Sequence, residues 1–204
     1  MRDPRNTRDD ILAAAQEEFL EKGYQAAALR DISKRAGVTT GALYGYFSNK
    51  LDLFEALVKE PYHALIDQYH AVLQEFTALS PAEQKAGMMD YTGRTIRIMT
   101  DYIYTHKQAF RLILCCSEGT EYNNLVHEMA ELDVTATHNF AAVNESLGVS
   151  MKPVNANLEH MLTSGMFSTY FELIIHDIPR SEADEYIQQL LEFYAAGWAK
   201  IMGF

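Results

Sequence analysis

Gly37-Val38-Thr39-Thr40-Gly41-Ala42-Leu43-Tyr44-Gly45-Tyr46-Phe47-Ser48-Asn49-Lys50 decides how this chain is read. The stretch is a tight turn, a very short helix carrying two tyrosines, and a second turn that ends in a lysine. Upstream, Leu29-Arg30-Asp31-Ile32-Ser33-Lys34-Arg35-Ala36 has the length of a helix with basic residues at its end. Two short helices joined by a glycine-containing turn make a helix-turn-helix, whose second helix can enter a DNA major groove.

Working outward, Ile11, Leu12, Ala15, Phe19 and Leu20 recur at helical spacing, with Thr7 as cap and Asp10 at the capping-box position. Gly23 ends this first helix. Leu29, Ile32 and Ala36 form the buried side of the second, which Gly37 stops. Thr40 is the expected cap of the third, anchored inward by Leu43 and Phe47. Three helices in so few residues bury too little to stand alone and must lean on the helices beyond residue 50. Asn49 with Asp52 makes a second capping box, opening a long helix through Leu53, Phe54 and Leu57. Pro61 falls inside its pattern and predicts a kink or break near Glu60. Ser80-Pro81-Ala82-Glu83 is a fresh helix start. Further helices are expected over about 85–105, 107–117, 120–147, 155–177 and 181–202. The fold class is therefore all-α: an N-terminal three-helix head over residues 1–50 and a larger helical domain over 51–204.

The chain has 204 residues, 48% apolar and 22% charged, an ordinary balance for a globular protein. No apolar run reaches the roughly 18 residues of a membrane span, and the polar start lacks the apolar core of a signal peptide. Cys115 and Cys116 are adjacent and cannot staple a framework, which suggests a reducing, cytoplasmic setting. The formal charge of −11 is unevenly spread. Residues 1–50 hold eight Lys/Arg against seven Asp/Glu; the remainder holds nine against 21. Only the N-terminal segment can approach a phosphate backbone without strong repulsion.

Ile11-Leu12-Ala13-Ala14-Ala15, Phe19, Lys22-Gly23-Tyr24, Arg30-Asp31-Ile32, Ala36-Gly37-Val38, Gly41-Ala42-Leu43-Tyr44, Tyr46-Phe47, Lys50 and Leu53 together resemble the TetR family of bacterial transcriptional regulators. The resemblance covers about a quarter of the chain. It implies a homodimer that binds a near-palindromic operator on double-stranded DNA and is released by a small ligand held in each C-terminal domain. An activator or ligand-independent regulator of the same fold is the alternative, and a helical enzyme with an incidental helix-turn-helix a more distant one. One departure concerns the start of helix two, where the family commonly places a Ser/Thr cap that touches a phosphate. Here Ala26-Ala27-Ala28 supplies no hydroxyl.

The expected DNA face comprises Arg30, Thr39, Thr40, Gly41, Ala42, Tyr44, Tyr46 and Lys50. Lys50 and the two phenols can reach backbone phosphates, although either tyrosine can instead pack on helix one. Thr39 and Thr40 can meet phosphate or a thymine methyl. Gly41 and Ala42 lack bulk, so the helix end can approach closely, and Ala42 can touch a thymine methyl. Arg30 serves a base edge or a phosphate, while Lys34 and Arg35 read as general electrostatics. Few base-reading side chains sit on helix three, so shape readout must contribute.

In the larger domain Met88, Met89, Thr92, Ile96, Met99, Tyr102, Ile103 and His106 recur on one side of a helix. Methionines and aromatics with a few polar tips suit a pliable pocket for a partly apolar ligand, although such stripes also build plain core. The expected lining is Met99, Tyr102, Ile103, Phe110, Met129, Met166 and Tyr170. Cys115 and Cys116 read as small buried hydrophobes. His127 with Glu131, and Glu172 with His176, have metal-compatible i,i+4 spacing. Surface ion pairs account equally for both, no third ligand is evident, and neither metal nor cofactor is expected. No nucleophile elbow or phosphate loop occurs, so no enzyme is expected. The last two helices are apolar around more than one side, which predicts a four-helix interface with a second subunit, a monomeric interior being the alternative. The helix after Asn49 would carry the ligand signal to the head, with Pro61 as its joint.

Overall fold

The computed structural model describes residues 4–149 and 152–203, with side chains omitted for 4–6 and Met89. The charges expected on Arg2, Asp3 and Arg5, and the role expected of Met89, thus lie outside the described residues. All regular structure described is helical: α1 (Pro4–Ala26), α2 (Leu29–Arg35), α3 (Thr40–Tyr44), α4 (Lys50–Thr77), α5 (Pro81–Thr105), α6 (Lys107–Cys116), α7 (Leu125–Ser146), α8 (Ala156–Ile175) and α9 (Arg180–Met202). A 3-10 turn, Glu121–Asn124, precedes α7.

Two compact units divide the chain. The first takes the chain through Ala64 together with His106–Leu125; the second takes Leu65–Thr105 and the chain from Val126 onward. This division differs from one at residue 50 because the three-helix head is too small to close its own core. It borrows the first half of α4 and all of α6. Ile11, Phe19, Ile32, Leu43, Phe54 and Phe110 are fully buried there, and α6 packs along α1. Phe54 meets Phe19 edge-on at 5.0 Å and Tyr24 at 5.2 Å. Full burial of each such side chain contributes about 1.5–3 kcal/mol.

The local signals mostly act where the sequence places them. Gly23 adopts φ 74°, ψ 164°, a region essentially closed to other residues, and interrupts α1 there. Asn49 accepts from the Asp52 N–H at 2.9 Å, while Asp52 reaches back to the Ser48 N–H at 2.7 Å. The helix start expected at Ser80-Pro81-Ala82-Glu83 is closed by a capping box between Ser80 and Glu83. Three expectations need correction. Pro4 already belongs to α1, so Thr7 is a buried interior position and not its cap. The cap of α3 is Thr39, whose hydroxyl accepts from the Ala42 N–H at 3.1 Å; Thr40 is the first helical residue. Most consequential, α4 runs helical through Pro61, with no break at Glu60. Pro61 removes one hydrogen bond from a 28-residue helix, and buried Val58, Tyr62 and Leu65 anchor the flanking turns.

Candidate nucleic-acid interface and ligand cavity

The short helix α3 is pinned from inside by Leu43 and, just beyond its end, Phe47, both buried. Everything else on it faces outward. Tyr44 is 53% exposed and Tyr46 37%, so neither is consumed by packing on α1. Thr39, Gly41 and Ala42 are exposed and Thr40 is half-buried. At Gly41 an added Cβ would meet nothing nearer than the Thr39 hydroxyl, at 3.9 Å. The fold itself therefore does not require a glycine there, and its smallness matters only for what approaches from outside. On α2, Arg30 and Lys34 are exposed and form no ion pair among the described residues.

Two basic residues have internal duties that sequence reading missed. Arg35 donates to Glu17 at 3.1 Å, Glu18 at 3.1 Å and Glu21 at 2.7 Å, fastening α2 to α1. Glu18 is fully buried and also holds Lys22 at 2.6 Å. Arg35 is thus a structural clasp and not general electrostatics. Lys50 donates to the carbonyls of Gln25 at 2.9 Å and Ala27 at 3.1 Å. Its ammonium also stands 4.7 Å from the centre of the Tyr24 ring, and burial lowers its pKa. The lysine closes off carbonyls that the break at Gly23 leaves without helical partners. The N-cap of α2 is Ala28, which offers no side-chain bond, as the alanine run predicts.

The second unit contains a cavity of about 110 Å³ among α4, α5, α7, α8 and α9. Leu73, Met88, Ile96, Phe140, Met166 and Leu191 supply apolar walls, with Thr92, Thr95, Thr137, Tyr69 and Asp133 as polar points. Of the expected lining residues only Met166 belongs to it, joined by Met88, Thr92 and Ile96 from the α5 stripe. Met99, Ile103, Met129 and Tyr170 are buried outside that lining, and Tyr102 is half-buried. Phe110 sits in the core of the first unit. Tyr170 instead bonds Thr100 at 3.0 Å. The Thr100 hydroxyl donates to the Ile96 carbonyl, so the phenol is the donor to Thr100.

Asp133 carries no signal in the sequence that marks it out. It accepts from the Tyr69 hydroxyl at 2.5 Å. Burial raises its carboxyl above the ordinary value, the Tyr69 bond opposes this, and nearby Glu159 adds to it. Glu159 is itself buried and bonded to His138 at 2.7 Å. Cys116 is buried and its thiol pushed up by desolvation, whereas Cys115 is exposed, contrary to the expectation that both are buried. Among the described residues no helix is long and apolar enough to cross a membrane.

A five-residue helix capped by Thr39, held from within by two apolar side chains and exposed on its outer side, has the geometry of the second helix of a helix-turn-helix. Residues 11–57 match the family model of bacterial regulatory proteins, tetR family. The transcriptional repressor KstR2 of Mycolicibacterium smegmatis is 33% identical over 85 residues, 42% of this chain and 40% of its own length. The transcriptional regulator TtgR of Pseudomonas putida is 41% identical over 125 residues, 61% of this chain and 51% of its own length. A TetR-family regulator from Streptomyces coelicolor, 16% identical, superposes with a TM-score of 0.56 over 88% of this chain and 86% of that one, a likeness of fold alone. Over residues 11–57 the chain carries the N-terminal segment of the TetR family of bacterial transcriptional regulators. These relatives are regulators and not enzymes; the matches span about half or less of the curated relatives' length.

Proposed function

We propose that this protein is a ligand-responsive repressor that acts in the cytoplasm as a homodimer on a near-palindromic operator. Residues 1–50 meet DNA and residues 51–204 bind ligand and dimerise. The observation that carries this reading is the outer side of α3, where Tyr44 and Tyr46 project while Gly41 and Ala42 leave room for a close approach. In this reading Tyr44, Tyr46, Thr39, Arg30 and the remaining N–H of Lys50 hold phosphates. Thr40, Gly41 and Ala42 enter the groove, with Ala42 against a thymine methyl.

Dimerisation through α8 and α9 is supported by the apolar side chains they leave in solvent. Met161 is 68% exposed and Phe193 73%, accompanied by Leu158, Ile175, Tyr186 and Ile201. Two recognition helices must lie about 34 Å apart to use both half-sites. An α4 that stays helical through Pro61 suits transmission along its length, and ligand in the second unit would change that spacing through it. The ligand is partly apolar and carries a group that bonds Asp133 or the threonines. A ligand-independent regulator is the second reading, favoured by cavity size: about 110 Å³ is below the roughly 300–1,000 Å³ of drug-sized ligand pockets.

The deciding experiment selects bound sequences from random DNA and repeats the selection with candidate metabolites. An inverted repeat, released by one class of small molecule, is expected. Retention of full affinity by Tyr44→Ala and Gly41→Leu together would overturn the assigned face.

A further inference from the structure

We propose that His127, Glu131 and His160 form a binding site for a divalent transition-metal ion of the zinc class. His127 and Glu131 lie one turn apart on α7 and so share a face. Helix α8 brings His160 to them: its Nδ1 is 3.1 Å from Glu131 Oε1, and its ring stands 5.3 Å from that of His127, at 71°. One ligand atom from each of the three lies within 4.8 Å of the other two. Tetrahedral zinc with bonds of about 2.1 Å places ligand atoms roughly 3.4 Å apart, so small side-chain rotations close the site.

Two neutral imidazoles and one carboxylate select zinc, cobalt, nickel or copper over magnesium or calcium, which need a shell of oxygens. Three protein ligands leave the fourth position to water. Ser164 lies one turn beyond His160, its Oγ 3.4 Å from Nε2. With metal on Nδ1, the Nε2–H donates to that hydroxyl and fixes the ring, as an outer-shell partner does. An ion pair accounts for Glu131 beside His160, but it does not call for a second imidazole against the first. The site ties α7 to α8 and is independent of the DNA and ligand readings.

The test titrates Co2+ and Zn2+ into the full chain, by visible absorption and calorimetry. One Co2+ per chain with tetrahedral d–d bands and no thiolate charge-transfer band is expected, with thermal stabilisation by Zn2+. His127→Ala alters an exposed residue and should weaken binding at least about a hundredfold, as should His160→Ala; Ser164→Ala should cost about tenfold. Unchanged affinity in His127→Ala, absence of binding to the parent, or a thiolate band marking Cys115 and Cys116 as the ligands would each overturn the site.

Discussion

Lys50→Met separates two jobs carried by one ammonium. Within the head the group donates to Gln25 O at 2.9 Å and Ala27 O at 3.1 Å and faces the Tyr24 ring at 4.7 Å. A hydrogen bond from a charged donor is worth about 1.5–3 kcal/mol, and an exposed cation–π contact about 0.5–1 kcal/mol. The side chain is only half-buried, so solvent screening brings the total to about 2 kcal/mol. Methionine keeps the packing of the stem and removes only the charge. Urea unfolding followed by circular dichroism should show a lower midpoint, by about 1 M for a slope near 2 kcal/mol/M, with the slope unchanged. The second readout is the salt dependence of operator affinity. Each phosphate contact contributes about 0.9 to the logarithmic slope, so a dimer that loses two should lose about 1.8. A stability loss below about 0.5 kcal/mol would refute the carbonyl role. An unchanged slope would remove Lys50 from the DNA face and leave it a purely structural lysine.

The bare N-cap of α2 makes Ala28→Ser a stabilising change of about 1 kcal/mol, read from the unfolding midpoint; no gain would mean the backbone there is already satisfied. Burial raises the Asp133 carboxyl above 3.8, so the fold favours its protonated form. That contribution is complete below pH 3.8 and fades as pH rises through the raised value. Asp133→Asn should therefore gain Tm relative to the parent as pH rises across the acid range, and a constant difference would contradict this. Phe193→Asp replaces a side chain 73% exposed and should cost the protomer little while lowering the solution mass to one chain. A retained dimer in sedimentation would exclude α9 from the interface.

The head was legible because its determinants are local. The Asn49–Asp52 box and the break at Gly23 each act over a few residues, and the spacing from Ile11 to Leu53 fixes the relation of the first helices. Periodicity put Met88, Thr92 and Ile96 on one side of α5, and these line the cavity, whereas Met99, Tyr102 and Ile103, expected as lining, do not. The same logic overreached at Pro61, where a local propensity met anchors on both sides that held the helix together.

An i,i+3/i+4 pattern tells which face of a helix is buried but not which element buries it. That is why Phe110 read as a pocket residue and lies in the core of the other unit, and why Arg35 and Lys50 read as free cations. It is also why the pair His127 and Glu131 looked incomplete until α8 brought His160. The sequence by itself determined most of the helical elements and the TetR-type head, which depend on interactions within a few turns, and left open whether Tyr44 and Tyr46 face outward. Tertiary structure alone decided the internal partners of Arg35 and Lys50, the walls of the cavity and the meeting of two histidines. Those depend on contacts between residues far apart in the chain, which no local spacing encodes.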